Sequence, residues 1–178
     1  MIKLKQPSLV LHSCDVPGYK YTSWQYWKMP KGASAGNLVY WMNWGIEHSP
    51  EMYLHNIVIN CHGSPGFLHI GGSGVGFGDG QESVLRPLRS KGAIGRIIIV
   101  ACEVAADSDG NGRLGKAFCT RIAEESGAFV LAADALQSVD FWYQVFSHPF
   151  GTIDDFEGTV YEFSPAGGHE VWIGNTAD

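Results

Sequence analysis

The sequence predicts an α/β domain built on a mostly parallel sheet, and three observations carry that prediction. Residues 55–61 (HNIVINC), 96–102 (RIIIVAC) and 128–134 (AFVLAAD) are nearly continuous apolar runs rich in branched side chains. Such runs suit strands covered on both faces, the situation of a parallel sheet between helices. Helix-compatible stretches lie between them, and strand, helix, strand in succession is the signature of βαβ units joined by right-handed crossovers.

Taken in order, residues 9–13 (LVLHS) form a further strand near the amino end. Residues 19–44 hold eight tyrosines and tryptophans, read as an aromatic hairpin followed by a helix. The glycine-dense residues 71–80 (GGSGVGFGDG) form a loop. Residues 82–91 make only a brief helix, because Pro87 interrupts it. Residues 113–126 place Leu114, Phe118 and Ile122 at i, i+4 and i+8, one buried helical stripe, and Gly127 supplies the stop. Residues 158–163 (GTVYEF) and 169–173 (HEVWI), separated by SPAGG, form a carboxyl-terminal β-hairpin that closes one sheet edge. No repeat, charge block or low-complexity linker divides residues 1–178, so one domain is expected.

The chain has 178 residues, 45% of them apolar and 17% charged, enough for an ordinary core without disulfides. Its formal charge of −6, with 12 Lys and Arg, argues against a nucleic-acid or anionic-membrane surface. No run approaches the roughly 20 apolar residues of a membrane span, and the first residues lack the hydrophobic segment of a secretory signal. The four cysteines show no CxxC spacing, which points to a reducing compartment and no disulfide framework or thiolate zinc site. A cytoplasmic location is the simplest expectation, with export by a signal-peptide-independent route as the alternative.

Two strand ends carry chemistry. The first core strand runs into His62-Gly63-Ser64-Pro65-Gly66, and the second into Ala101-Cys102-Glu103. In an open α/β sheet, residues just past the carboxyl ends of neighbouring strands converge on one crevice. There a Cys102 thiolate can act as nucleophile, with the His62 imidazole taking its proton and later protonating a leaving amine. Gly63 allows close approach of a substrate backbone, and the amides of Gly63 and Cys102 are candidate donors to a tetrahedral oxyanion.

An apolar strand ending in His-Gly, then a second ending in Ala-Cys, resembles the caspase-like clan of cysteine peptidases that includes gingipains and RTX-toxin self-processing domains. A closer resemblance is to a bacterial caspase-like domain of unknown function near the start of giant surface adhesins. Its HGSPG, L.IG, C.VA, G..F and GA.V.A motifs match residues 62–66, 68–71, 102–105, 115–118 and 127–132. The likeness covers residues 56–134 and reaches neither the aromatic first third nor the terminal hairpin. It implies a three-layer caspase-like fold, a His62 base and a Cys102 nucleophile, and a protein or peptide substrate. The expected function is therefore a cysteine endopeptidase. A catalytically silent interaction module contacting partners through its aromatic first third, and a cysteine acyl-transferring enzyme, are the alternatives.

Other residues carry lesser expectations. Cys61 and Cys119 read as core, because apolar burial quiets a thiol. Asp134, at the end of the third run, is a candidate to orient His62 or contact substrate, against the plainer role of capping a turn. Glu103 is a candidate contact for basic substrate side chains. Asp107, Asp109 and Asn111, with Gly112, fit the first half of a calcium loop, but Phe118 stands where a bidentate Glu is required. No cofactor is called for, and calcium is the single ion with a partial motif. The glycine loop lacks the Gly-Lys-Ser/Thr of a phosphate cradle and reads as a flap or spacer beside the crevice. No HExxH or HxxxH spacing marks a metal hydrolase, and no GxSxG elbow a serine hydrolase.

Overall fold

A computed structural model describes residues 1–17, 21–72, 74–107, 114–137, 149–172 and 176–177. A seven-stranded sheet forms its centre. The chain supplies β1 (Ile2–Leu4), β2 (Ser8–Ser13), β3 (Gln25–Met29), helix α1 (Ala35–His48) and β4 (Leu54–Asn60). Three short strands follow, β5 (His62–Ser64), β6 (Phe67–His69) and β7 (Phe77–Gly78). A 3-10 turn (Glu82–Leu85) runs into α2 (Arg86–Arg89), then come β8 (Ile94–Val100), α3 (Gly115–Ser126) and β9 (Phe129–Ala133). β10 (Thr152–Ile153), β11 (Val160–Phe163), β12 (His169–Val171) and β13 (Thr176–Ala177) complete the described elements.

The large sheet has the order β12-β11-β9-β8-β4-β2-β3, with β3, β2, β4, β8 and β9 mutually parallel. β11 and β12 are antiparallel, and their hairpin closes one edge as the alternating pattern of residues 158–173 requires. The branched runs became central strands because both of their faces find apolar cover. On one face Leu9, Leu11, Ile57, Ile59, Ile97 and Ile99 pack against all three helices, through Leu38, Met42, Leu88, Phe118 and Ile122. On the other, Val10, Val58, Ile98 and Leu131 pack against Ile2, Leu4, Tyr21 and Ile153. Each such side chain, fully buried, contributes about 1.5–3 kcal/mol of hydrophobic stabilisation.

Among the described residues helices cover one face, and the second face is covered by a small sheet, β10-β1-β13, with β1 paired to β10 at Ile2 and Ile153. Three local expectations are corrected. The aromatic segment contains the expected helix, but its strand β3 pairs in parallel with β2 and makes no hairpin. Its rings serve packing: Trp27 of β3 lies 4.3 Å from Trp44 of α1, centroid to centroid, and Trp44 stacks on His48. Leu114 precedes α3 and is 56% exposed, so the buried stripe is Phe118, Cys119, Ile122, Ala123 and Ser126. The loop of residues 71–80 contains β7, where buried Phe77 pairs its backbone with Leu68.

Caps set the helix limits. Ser34 and Asn37 exchange bonds at the start of α1, the Ser34 hydroxyl accepting from the Asn37 N–H and the Asn37 carbonyl oxygen from the Ser34 N–H. Gly127, at φ 73°, ends α3 in the left-handed conformation that favours glycine.

Candidate functional site

β4 and β8 are adjacent parallel strands with Asn60 opposite Val100. Two residues beyond each end stand His62 and Cys102, and both line one cavity of about 160 Å³. Its other described walls are Val16, Pro17, Tyr21, Asn60, Cys61, Val100, Ala101, Gln137 and Asp154. The separation of forty positions in sequence is thus closed by the register of two strands. His62 is exposed and Cys102 half-buried.

The His62 side reaches this place through a hairpin. β5 pairs with β6, His62 opposite His69, across a Pro65-Gly66 turn with Gly66 at φ 65°. The Gly66 N–H donates to the Val104 carbonyl at 3.2 Å, which seats the hairpin on the turn following Cys102. Gly63 lies against the Cys102 backbone: a Cβ there would sit 2.5 Å from the Cys102 oxygen and 3.1 Å from its nitrogen. Only a residue without a side chain permits that approach.

The Cys102 side is held by the chain beyond β9. Cys102 Sγ accepts the backbone N–H of Gln137 at 3.4 Å and lies 3.7 Å from the Gln137 carbonyl oxygen. The Gln137 amide is bracketed in turn, its Nε2 donating to the carbonyls of Ala135 and Glu157, and its Oε1 accepting the Glu157 N–H. Among the described residues nothing accepts a hydrogen bond from the Cys102 N–H. Glu103 adopts φ 53°, a left-handed conformation that costs a non-glycine residue about 1–2 kcal/mol. Its N–H donates to the Ala135 carbonyl at 2.9 Å, and the Ala105 N–H to Ala133 at 3.1 Å. These two bonds hold the turn after Cys102 against the end of β9 and the chain just past it.

Neither acidic candidate lines the cavity. Glu103 is half-exposed beside it. The Asp134 carboxylate accepts the Thr159 N–H at 2.9 Å and the Tyr161 hydroxyl at 3.2 Å, which ties β9 to the approach to β11. Of the partial calcium loop, Asp109 and Asn111 lie outside the described residues. Asp107 engages Lys116, through its backbone N–H at 3.4 Å and its ammonium at 3.6 Å. No group of three or more His, Cys, Asp or Glu suited to a metal occurs among the described residues, and no helix among them is long and apolar enough to cross a membrane.

The other thiols differ from Cys102. Cys61 is buried, and desolvation, followed by the nearby charges of Asp15 and Cys102, pushes its ionisation well up. Burial and then Asp107 do the same to Cys119. Neither forms a thiolate near neutral pH. Cys14 is half-buried and lines a separate, wider cavity with His12, Asp15, Val16, Pro17, Tyr26 and Lys28.

Sequence reasoning missed Gln137, Asp154, Tyr21 and Asn60. Asn60 extends a network, its Nδ2 lying 3.1 Å from His12 Nδ1, while His12 Nε2 lies 3.2 Å from the Val16 carbonyl. A carbonyl only accepts, so Nε2 carries the proton and Nδ1 accepts from Asn60. Asn60 had a readable signal, a polar residue ending an apolar strand. Gln137 had none, because it acts through its backbone from 35 positions away. Comparison of the chain with models of known families, with curated proteins and with solved structures finds no match in any of the three.

Proposed function

We propose that the protein is a cysteine peptidase of the caspase-like kind, hydrolysing peptide bonds with Cys102 as nucleophile and His62 as proton carrier. The observation that carries the reading is that these two side chains border one cavity from the ends of adjacent strands, with the Gly63 backbone against Cys102. The Cys102 sulfur, relieved of its proton by His62, adds to the scissile carbonyl carbon and its electron pair moves onto oxygen. The amides of Gly63 and Cys102 receive that oxyanion, an effect worth about 3 kcal/mol per donor in other enzymes. Collapse breaks the C–N bond, His62 passes its proton to the departing amine, and an acyl-thioester remains. Water, deprotonated by His62, adds to the thioester; the C–S bond breaks, a carboxylic acid leaves and the thiol is restored. This sequence draws on no cofactor.

Alkylation by iodoacetamide at neutral pH tests the dyad. Cys102 is expected to react ahead of Cys14, Cys61 and Cys119, and that preference to be lost in His62→Ala. Equal reactivity of Cys102 and Cys14, unchanged by removing the imidazole, would favour an interaction module instead. A peptide library, analysed for cleaved and for ligated products, then separates hydrolysis from acyl transfer.

A further inference from the structure

We infer that Asn60 is a positioning residue for the dyad: its side-chain oxygen accepts the second ring N–H that His62 acquires on taking the Cys102 proton, and buried His12 keeps that oxygen turned toward the cavity. The inference rests on the peptidase reading and adds the group that aims its base. His62 is exposed, and no described residue hydrogen-bonds its ring. An imidazole that becomes imidazolium donates from both nitrogens. One N–H serves the sulfur, and the other requires an acceptor, the place that a third group takes beside a nucleophile and its base.

Asn60 is 8% exposed and lines the cavity that His62 and Cys102 border. It stands two positions before His62, and in extended backbone alternate side chains leave on the same side. Its amide has a fixed sense. His12 Nε2 donates to the Val16 carbonyl at 3.2 Å, so Nδ1 is an acceptor and Asn60 Nδ2 donates to it at 3.1 Å. Desolvation lowers the His12 pKa, which keeps that ring neutral and the assignment in force. A flipped amide would set its oxygen against the Nδ1 lone pair, so Oδ1 points away from His12. No described donor reaches Oδ1, and it is not among the sealed polar atoms that lack a partner, so it opens on the cavity. A carbonyl left unspent in a buried side chain is costly, and a cationic N–H is the strongest donor that the reaction itself creates there. Asp154 borders the same cavity and is the rival acceptor, but its Oδ2 already accepts the Tyr21 hydroxyl at 3.3 Å.

The test uses Asn60→Leu, Asn60→Asp and His62→Ala. Both Asn60 variants lose the bond donated to His12 and share its structural cost, whereas only Asn60→Leu loses the cavity oxygen. At about pH 5, below the ordinary imidazole value of about 6.5, 15N-edited NMR should show a His62 ring N–H protected from water exchange, identified by its loss in His62→Ala. That resonance should vanish in Asn60→Leu and persist in Asn60→Asp. Its absence from wild type, its survival in Asn60→Leu, as with Asp154 as acceptor, or its loss in both variants overturns the inference. Iodoacetamide kinetics supply a second reading. Asn60→Leu should slow Cys102 roughly tenfold, the worth of one hydrogen bond to a charged group, and only while His62 is present. Slowing of the same size in the His62→Ala background overturns the inference as well. The resonance needs no thiol chemistry, so the two readings fail separately. A resonance that follows Asn60 while His62→Ala leaves alkylation unchanged sinks the peptidase reading alone. Alkylation that depends on His62 with a resonance indifferent to Asn60 sinks the positioning role alone, and absence of both sinks both.

Discussion

Gly63 stands where no side chain fits, and its neighbour there is the backbone of the candidate nucleophile. An added Cβ would meet the Cys102 oxygen at 2.5 Å and the Ala101 methyl at 2.9 Å. Gly63→Ala is expected to cost about 1–3 kcal/mol, the range for overpacking, and to slow Cys102 alkylation several-fold. Urea denaturation and the alkylation rate read the two effects, and a variant matching wild type in both contradicts the contact. His12 gives a second prediction. Desolvation chiefly lowers its pKa, helped by Lys28 and opposed by the Val16 carbonyl and Asp15. A folded pKa below the unfolded value of about 6.5 means the unfolded chain binds the proton first. Stability is thus full above that value and falls as the pH drops through it. Protonation would also turn Nδ1 into a donor facing the Asn60 amide nitrogen. His12→Gln should flatten the stability profile between about pH 6.5 and 5, leaving the smaller share of the more exposed His55, also shifted down by desolvation. An unchanged slope in unfolding free energy against pH would refute that assignment.

Three elements meet at Cys102: the β5-β6 hairpin, the turn after β8, and the chain leaving β9. The Gln137 side chain joins the last of these to the segment before β11 through its two bonds to the Glu157 backbone. Its own amide then points at the sulfur. Gln137→Ala is expected to slow Cys102 alkylation about threefold to tenfold at pH 7, roughly the worth of one hydrogen bond. Mass spectrometry of the alkylated protein gives the two rates, and equal rates would show that the Gln137 side chain does not hold its amide on the sulfur. At this scale much was legible. β4, β8 and β9 fall within two residues of the apolar runs, because branched side chains mark a strand buried on both faces. The parallel pairing of β3 was not, since Gln25–Met29 is only partly buried and its aromatics fit an edge strand of either direction.

At the scale of the molecule, the described residues close the two faces of the large sheet by different means, helices on one and the β10-β1-β13 sheet on the other. The key contact of that small sheet is the pairing of Ile2 with Ile153, both buried beside Val58 and Ile98. Ile2→Ala should cost about 2–5 kcal/mol, like other large-to-small core changes, although the residue lies second in the chain. Leu136→Ala, 65% exposed, should stay within about 0.5 kcal/mol. Thermal or urea unfolding compares the two, and equal losses would show that β1 contributes no more than a surface residue.

The order of apolar runs determined a parallel α/β sheet, because side-chain branching and burial on both faces are written locally. The same local reading found His62 and Cys102, since the residue after a core strand's carboxyl end is a position that can be counted along the chain. Which groups face those two was decided only in three dimensions. Asp154 arrives through a strand pair that joins the start of the chain to residues 152–153, and Gln137 through a backbone amide that no side-chain pattern announces. Asp134, by the same criterion a strand-end candidate, is drawn away by Thr159 and Tyr161. Packing between distant segments chose among the strand-end residues, and long-range register has no local signature.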